Sequence, residues 1–280
     1  MQWRMTWLLC VMAGCAVEQA EEQDELQYEA IIHGKASTAA QDAVVMIRIG
    51  DQALCTGTLV APNLVLTARH CVSQTEEGIA CAPSGAAIQG GGVGADFRAS
   101  SLVIYGGRKN VEPIAKGKRI LHDESDNLCD HDVALVLLDR EVQDLPIAAL
   151  RLTDHTQVGE KITAVGWGLT QKGTLPTTRM QRANVPIIDV GPSTTAAPHE
   201  MAVGEAICSG DSGGPALSAQ GAVIGVVSYG GNGSGDWFEP AASCLGKSTR
   251  NTYTRVAPFA ALIDAAFKAA KHTPQREGAP

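Results

Sequence analysis

The chain has 280 residues, of which 45% are hydrophobic, and a formal net charge of −8. That is enough apolar material for a real core. The acidic balance gives no electrostatic footprint for nucleic acid, and no apolar run is long enough to cross a membrane as a helix.

The first residues read as a targeting segment and not as fold: Arg4 precedes the short apolar stretch Met5 to Ala13. Met12-Ala-Gly-Cys15 resembles a bacterial lipobox, with Cys15 as the lipidated residue and Met in place of the usual Leu. The other reading is an ordinary secretory signal cut nearby. Either predicts an exported protein, as an outer-membrane lipoprotein in the first case and a secreted one in the second. Val17 to Ala30 carries six acidic residues and no basic ones, as a solvated tether or pro-segment would. Without residues 1–30 the formal charge is only −3, so the acidity belongs mostly to the leader. The expected organisation is a signal over 1–15, a tether over 16–30 and one domain over 31–280.

From residue 31 on, short β-rich runs alternate with Gly, Pro, Asn and Asp, which is an all-β pattern. The runs are Val44–Ile49, Leu102–Tyr105, Val133–Leu138, Ile162–Trp167 and Ala222–Ser228. An apolar run from Leu59 to Leu66 reads as a buried strand, and His70 stands just after it in Val65-Leu-Thr-Ala-Arg-His-Cys71. Asp132 stands directly before another strand, in Asp130-His-Asp-Val-Ala-Leu-Val-Leu-Leu138. The other six histidines (33, 122, 131, 155, 199, 272) read as structural or solvated. No His-Glu-x-x-His and no paired Cys-x-x-Cys occurs, so neither a metal nor any other cofactor is indicated.

Cys208-Ser-Gly-Asp-Ser-Gly-Gly-Pro215 is the most informative stretch. A serine hydroxyl is a weak nucleophile until a base activates it, and its attack on a carbonyl needs backbone N–H donors aimed at the developing oxyanion. Glycines on both sides let the backbone come close to a substrate. Farther on, Phe259, Leu262, Ile263, Ala266 and Phe267 recur at helical spacing after Pro258, which predicts a terminal helix over about 258–271.

Three motifs in the order His, Asp, Ser make the chain resemble the trypsin/chymotrypsin family of serine proteases over about residues 31 to 271. They are Thr67-Ala68-Arg69-His70-Cys71, Asp132-Val133-Ala134-Leu135 and Gly210-Asp-Ser-Gly-Gly-Pro215, with Arg69 replacing the family's usual Ala. Gly166-Trp167-Gly168, Val227-Ser-Tyr-Gly230 and Tyr253-Thr-Arg-Val256 are similar to further family segments, with Tyr229 where Trp is usual. The resemblance implies an all-β fold of two packed Greek-key barrels, about 31–145 and 146–257, followed by the helix. It implies Ser212 as nucleophile, His70 as base, Asp132 as orienting carboxylate, and the N–H groups of Gly210 and Ser212 as the oxyanion hole. Ser228 would lie beside Asp132. The resemblance puts Ala206 at the base of the pocket for P1, the residue preceding the cut bond, where trypsin-like members carry Asp. With Ile207, Asn251, Tyr229 and Gly230 around it, a small or medium apolar P1 residue is expected. Glu205 is the exception to watch, because its carboxylate would restore basic specificity if it entered the pocket.

Ile31-Ile-His-Gly34 resembles the start of the family's mature enzyme, so that a cleaved Ile31 amine would pair with Asp211. Ala30 stands where Arg or Lys is usual, which suggests processing by the chain itself or by a protease of similar taste. The resemblance pairs Cys55 with Cys71 and Cys208 with Cys244, which leaves Cys81 and Cys129 for each other, tying a Gly-rich insertion to the loop of Asp132. The partners implied are protein or peptide substrates, with membrane attachment only through a lipidated Cys15 and a monomeric enzyme. A catalytically silent homologue that binds partners at the cell surface is the other class of reading. An esterase of α/β-hydrolase type is excluded by motif order. Asn232-Gly-Ser234 reads as loop punctuation, and the Gly231–Ser243 loop with Trp237 and Phe238 either lines the cleft or decorates the surface.

Overall fold

The computed structural model describes residues 31–278 apart from 51, 52, 77, 110, 154, 235–238 and 240. The lipobox, the acidic tether, Ala30, Trp237 and Phe238 lie outside the described residues.

Twelve strands form the body. The first six are β1 (Val44–Ile49), β2 (Ala53–Ala61), β3 (Leu64–Thr67), β4 (Leu102–Gly106), β5 (Glu112–Leu121) and β6 (Ala134–Leu138). They close an antiparallel barrel in the order β5-β6-β3-β2-β1-β4. The next six are β7 (Lys161–Gly166), β8 (Met180–Val190), β9 (Glu200–Val203), β10 (Pro215–Leu217), β11 (Val223–Gly231) and β12 (Arg250–Arg255). Their order is β8-β7-β10-β11-β12-β9, and β9 pairs back onto β8. Closure removes the exposed edges that an open sheet would present.

Three details differ from the sequence reading. The apolar run Leu59–Leu66 is a hairpin, with β2 ending at Ala61 and β3 starting at Leu64. Pro62 has no N–H to donate to a ladder, so it falls at the turn. Residues 31–36, counted with the first barrel on chain order, join the second: Lys35 and Ala36 pair with Gln181 and Met180 of β8, and Ile31 is buried in the second barrel's core. The terminal helix α1 runs Ala260–Ala270, after a 3₁₀ turn at Ala257–Phe259 that contains Pro258. It ends where Lys271 turns left-handed, at φ +62°.

Helix α1 follows the second barrel but packs on the first. Its buried face, Ile263, Ala266, Phe267 and Ala270, belongs to the same core as Leu64, Leu66 and Leu135. Burying each of the larger side chains contributes about 1.5–3 kcal/mol, so the helix straps the two barrels together. Arg179 does the same deeper in the molecule. Its guanidinium, fully buried, donates to the Val44 carbonyl (2.7 Å), to Ser37 Oγ (3.0 Å) and to Asp42 Oδ1 (2.8 Å).

The three disulfides are Cys55–Cys71, Cys81–Cys129 and Cys208–Cys244. The first and third match the pairing that the resemblance implied, and the second is the pair left over.

Candidate active site

Register brings the first two site residues together. Thr67 at the end of β3 faces Ala134 at the start of β6. His70 follows Thr67 in a 3₁₀ turn (Arg69–Cys71) pinned by the Cys55–Cys71 bridge, and Asp132 precedes Ala134. Antiparallel pairing therefore sets the two loops side by side. His70 Nδ1 lies 2.7 Å from Asp132 Oδ2, and the His70 backbone N–H donates to Asp132 Oδ1 at 3.0 Å. Ser228 Oγ, from β11 of the other barrel, donates to the same Oδ2 at 2.5 Å.

Asp132 is fully buried, while His70 keeps 18% of its side chain exposed toward the cleft. Burial alone would raise the Asp132 pKa. The charge of His70 and the hydrogen bonds from His70 and Ser228 outweigh it and hold the carboxyl below its ordinary value. For His70 the balance is the mirror image. Burial favours the neutral ring, but the charge and hydrogen bond of Asp132 prevail and raise its pKa above 6.5.

Ser212 sits in the turn between Cys208 and β10, on the wall of a cleft of about 740 Å³ that His70 and Ser228 also line. Backbone geometry explains the glycines there. Gly210 has φ +99° and Gly213 φ +78°, a region that disfavours side chains. A Cβ on Gly213 would also fall 2.1 Å from Thr67 Oγ1. Thr56 of β2 braces the turn from the first barrel: its N–H donates to the Ser212 carbonyl (2.8 Å) and its Oγ1 to the Gly210 carbonyl (2.9 Å). Nothing in the sequence singles out Thr56 beyond its place next to Cys55.

The amides of the turn are oriented by their peptide partners. The Ser209 carbonyl accepts from Leu169 N (2.7 Å), and the Asp211 carbonyl accepts from Gly214 N (2.8 Å). In a trans peptide the N–H points opposite to the C=O. The N–H groups of Gly210 and Ser212 are thereby turned away from those partners.

Asp211 is fully buried below the turn. Its carboxylate accepts the N–H of Gly168 (2.8 Å) and of Cys208 (2.9 Å). Among the described residues it has no cationic side chain as partner, and burial pushes its pKa up to about 7. Ile31 is buried in the core of the same barrel, and its carbonyl accepts the Gly34 N–H.

The resemblance puts Ala206 at the base of the pocket beside Ser212. Ala206 is fully buried in the second barrel's core, in the same cluster as Ile207 and Val227. Ile207, Val227 and Asn251 line the cleft. Asn251 stands opposite Gly230 across the β11–β12 ladder, and its Oδ1 lies 2.4 Å from where a Cβ on Gly230 would be. Its Nδ2 donates to the Gly204 carbonyl (2.9 Å), which fixes the carboxamide there. Glu205 stays outside the pocket, held by His33 Nε2 (3.0 Å) and the Gly246 N–H.

Tyr229 and the insertion extend the cleft. Tyr229 OH donates to Glu200 Oε1 (3.0 Å), a buried carboxylate whose pKa is raised by its burial. On the facing wall stand Thr75, Glu76, Gly78, Ile79 and Cys81. Gly231, Gly233 and Ser243, at the described ends of the 231–243 loop, line the cleft as well. Asn232 spends its amide on the Ala242 and Leu245 carbonyls, both at 2.8 Å, so it works as a loop brace. Arg69, the unusual neighbour of His70, is buried and reaches Asp96 Oδ1 at 3.2 Å. Asp96 also accepts from Ser73 (2.7 Å) and contacts His122 (3.0 Å).

Comparison with known proteins adds a family. The model of the trypsin family matches residues 31–263. A trypsin of Saccharopolyspora erythraea is 27% identical over 198 residues, covering 67% of this chain and 80% of that protein. An uncharacterized peptidase of Corynebacterium glutamicum is 30% identical over 249 residues, covering 82% and 76%. Among solved structures, neuropsin, a serine protease of mouse brain, superposes with a TM-score of 0.62 at 20% identity, over 85% of this chain and all of that one.

Proposed function

Because the chain belongs to the trypsin family and is a serine-type endopeptidase, we propose that Ser212, His70 and Asp132 carry its reaction and that it cuts after small or medium apolar residues. The observation that supports this most is the Asp132 carboxylate gripped by His70 and Ser228 at 2.7 and 2.5 Å, beside a cleft that Ser212 shares.

With Nδ1 donating to Asp132, His70 presents Nε2 as the base. Ser212 Oγ attacks the scissile carbonyl carbon while its proton passes to Nε2. The oxyanion is held by the N–H groups of Gly210 and Ser212, and losing one such donor typically costs about 10²–10³ in rate. The tetrahedral intermediate collapses as imidazolium gives its proton to the leaving amine, which leaves an acyl ester on Ser212. Water, deprotonated by the same nitrogen, attacks that ester and releases the carboxylate and the free serine.

Specificity follows from the pocket. Ile207, Val227 and the Asn251 carboxamide bring no carboxylate to the pocket, and an unpaired buried cation is costly. Arg and Lys are therefore poor P1 residues. A peptide library varied at P1 tests this: Ala, Val and Leu should dominate for the wild type, with no cleavage by Ser212→Ala. Asn251→Gly should extend the range to larger side chains. Dominance of Arg or Lys would overturn the apolar pocket.

Three disulfides support an exported protein, since such bridges persist in oxidising compartments. Attachment through a lipidated Cys15, and processing at Ala30–Ile31 that frees the domain from it, complete the reading.

A further inference from the structure

A second cluster of chemistry-bearing side chains stands where the two barrels meet, behind the loop of Asp132. Asp130, His131 and His199 bring one potential ligand atom each to within 4.8 Å of one another. We propose that they form a binding site for a divalent transition ion of zinc type, completed by water.

The arrangement is more than a proximity of polar groups. Asp130 is buried and held at φ +69°, and its Oδ1 accepts the His199 backbone N–H at 2.5 Å. That bond fixes its other oxygen, Oδ2, 3.1 Å from His199 Nδ1. A tetrahedral zinc site with bonds of about 2.0–2.2 Å has ligand atoms about 3.4 Å apart, so this pair is already near the required spacing. His131 Nδ1–H donates to Asp123 Oδ2 (2.6 Å), which leaves the Nε2 lone pair for a ligand. A carboxylate on the far nitrogen of a ligating imidazole is the usual outer-shell device that sets tautomer and orientation. The two rings stand edge to face, 5.9 Å between centroids, and both rest against Phe259. His131 and His199 keep 35% and 36% of their side chains exposed, so an ion can reach them. Two imidazoles, one carboxylate and an open position are a donor set suited to zinc.

No spacing motif could reveal the site, because Asp130 and His199 are 69 positions apart and belong to different barrels. That separation also gives the site its consequence. An ion there would clasp the loop that carries Asp132 to the residues that open β9, across the interface on which the alignment of Ser212 with His70 depends. It is a positioning site, and the ion takes no part in the reaction.

Zinc titration of the purified full chain, as Ser212→Ala to prevent self-digestion, tests the proposal. One Zn²⁺ should bind per chain and raise Tm in proportion to log[Zn²⁺], and Co²⁺ in its place should give the intense visible bands of tetrahedral coordination. His131→Ala and His199→Ala should each weaken binding at least 10-fold, and Asp123→Asn by about 10-fold or more. If His199→Ala does not fold, the partly exposed His131→Asn carries the test. Absence of 1:1 binding, or binding and Co²⁺ spectra unchanged in the His131→Ala/His199→Ala double variant, would overturn it.

Discussion

His70 and Asp132 move each other's proton affinity in opposite directions, and that coupling makes the pair testable. The carboxyl is held low and the imidazole high, in each case against the effect of burial. The working base is neutral His70, so kcat/KM should climb with pH and reach its half-height above 6.5. In Asp132→Asn the charge that raised His70 is gone while burial stays. The midpoint should then fall below that of the wild type, and kcat should drop by about 10⁴ as the tautomer is lost. An unshifted midpoint in a pH–rate profile would mean that Asp132 does not hold the ring. These two residues were legible in the sequence because each sits at the mouth of an apolar run. Asn251 was named, but not its reach across Gly230, and Thr56 was missed altogether. Their roles come from side-chain contacts between strands distant in the chain, and no local pattern encodes such contacts.

Among the elements, the insertion between β3 and β4 does more than fill a loop. Its Cys81 is tied to Cys129, three residues before Asp132, and Thr75, Glu76, Gly78 and Ile79 form one wall of the cleft. The bridge closes a span of 48 residues, for which chain entropy gives about 4 kcal/mol of stabilisation. Replacing both cysteines by serine should lower Tm markedly in thermal unfolding. It should also raise KM for long peptides more than for single-residue esters, because only the former touch that wall. Equal KM values would remove the insertion from the binding surface. The alternation of apolar runs and turn residues predicted five strands, β1, β4, β6, β7 and β11, to within a few residues, and did not single out β5, β8, β9 or β10. The Leu59–Leu66 run, read as one strand, is two. Apolar content alone did not resolve a hairpin whose two arms are both buried, although Pro62 and Asn63 mark its turn.

Across the whole molecule, both barrels supply the site, and Ile31 sits in the core of the second. Asp211 lies fully buried below the nucleophile turn, and it is the group proposed to pair with a cleaved Ile31 amine. Its folded pKa of about 7 lies above the ordinary 3.8, so the native state binds the extra proton more tightly. Stability from this group is therefore present at low pH and is lost as pH rises from about 4 through 7. A free Ile31 amine would offset that loss by pairing with the ionised carboxylate, provided the geometry compensates desolvation. Uncleaved Ser212→Ala chain should lose more Tm between pH 5 and 7.5 than chain cleaved before Ile31, and Asp211→Asn should abolish the difference. Identical pH profiles for the two forms would contradict this coupling.

The central claim is that Ser212 is a nucleophile activated by His70, and covalent labelling tests it most directly. A fluorophosphonate probe, followed by mass spectrometry of the digested protein, should place one adduct on Ser212 in the processed wild type and none in Ser212→Ala or His70→Ala. Labelling of His70→Ala at the wild-type rate, or undiminished peptide cleavage by pure Ser212→Ala, would contradict the account.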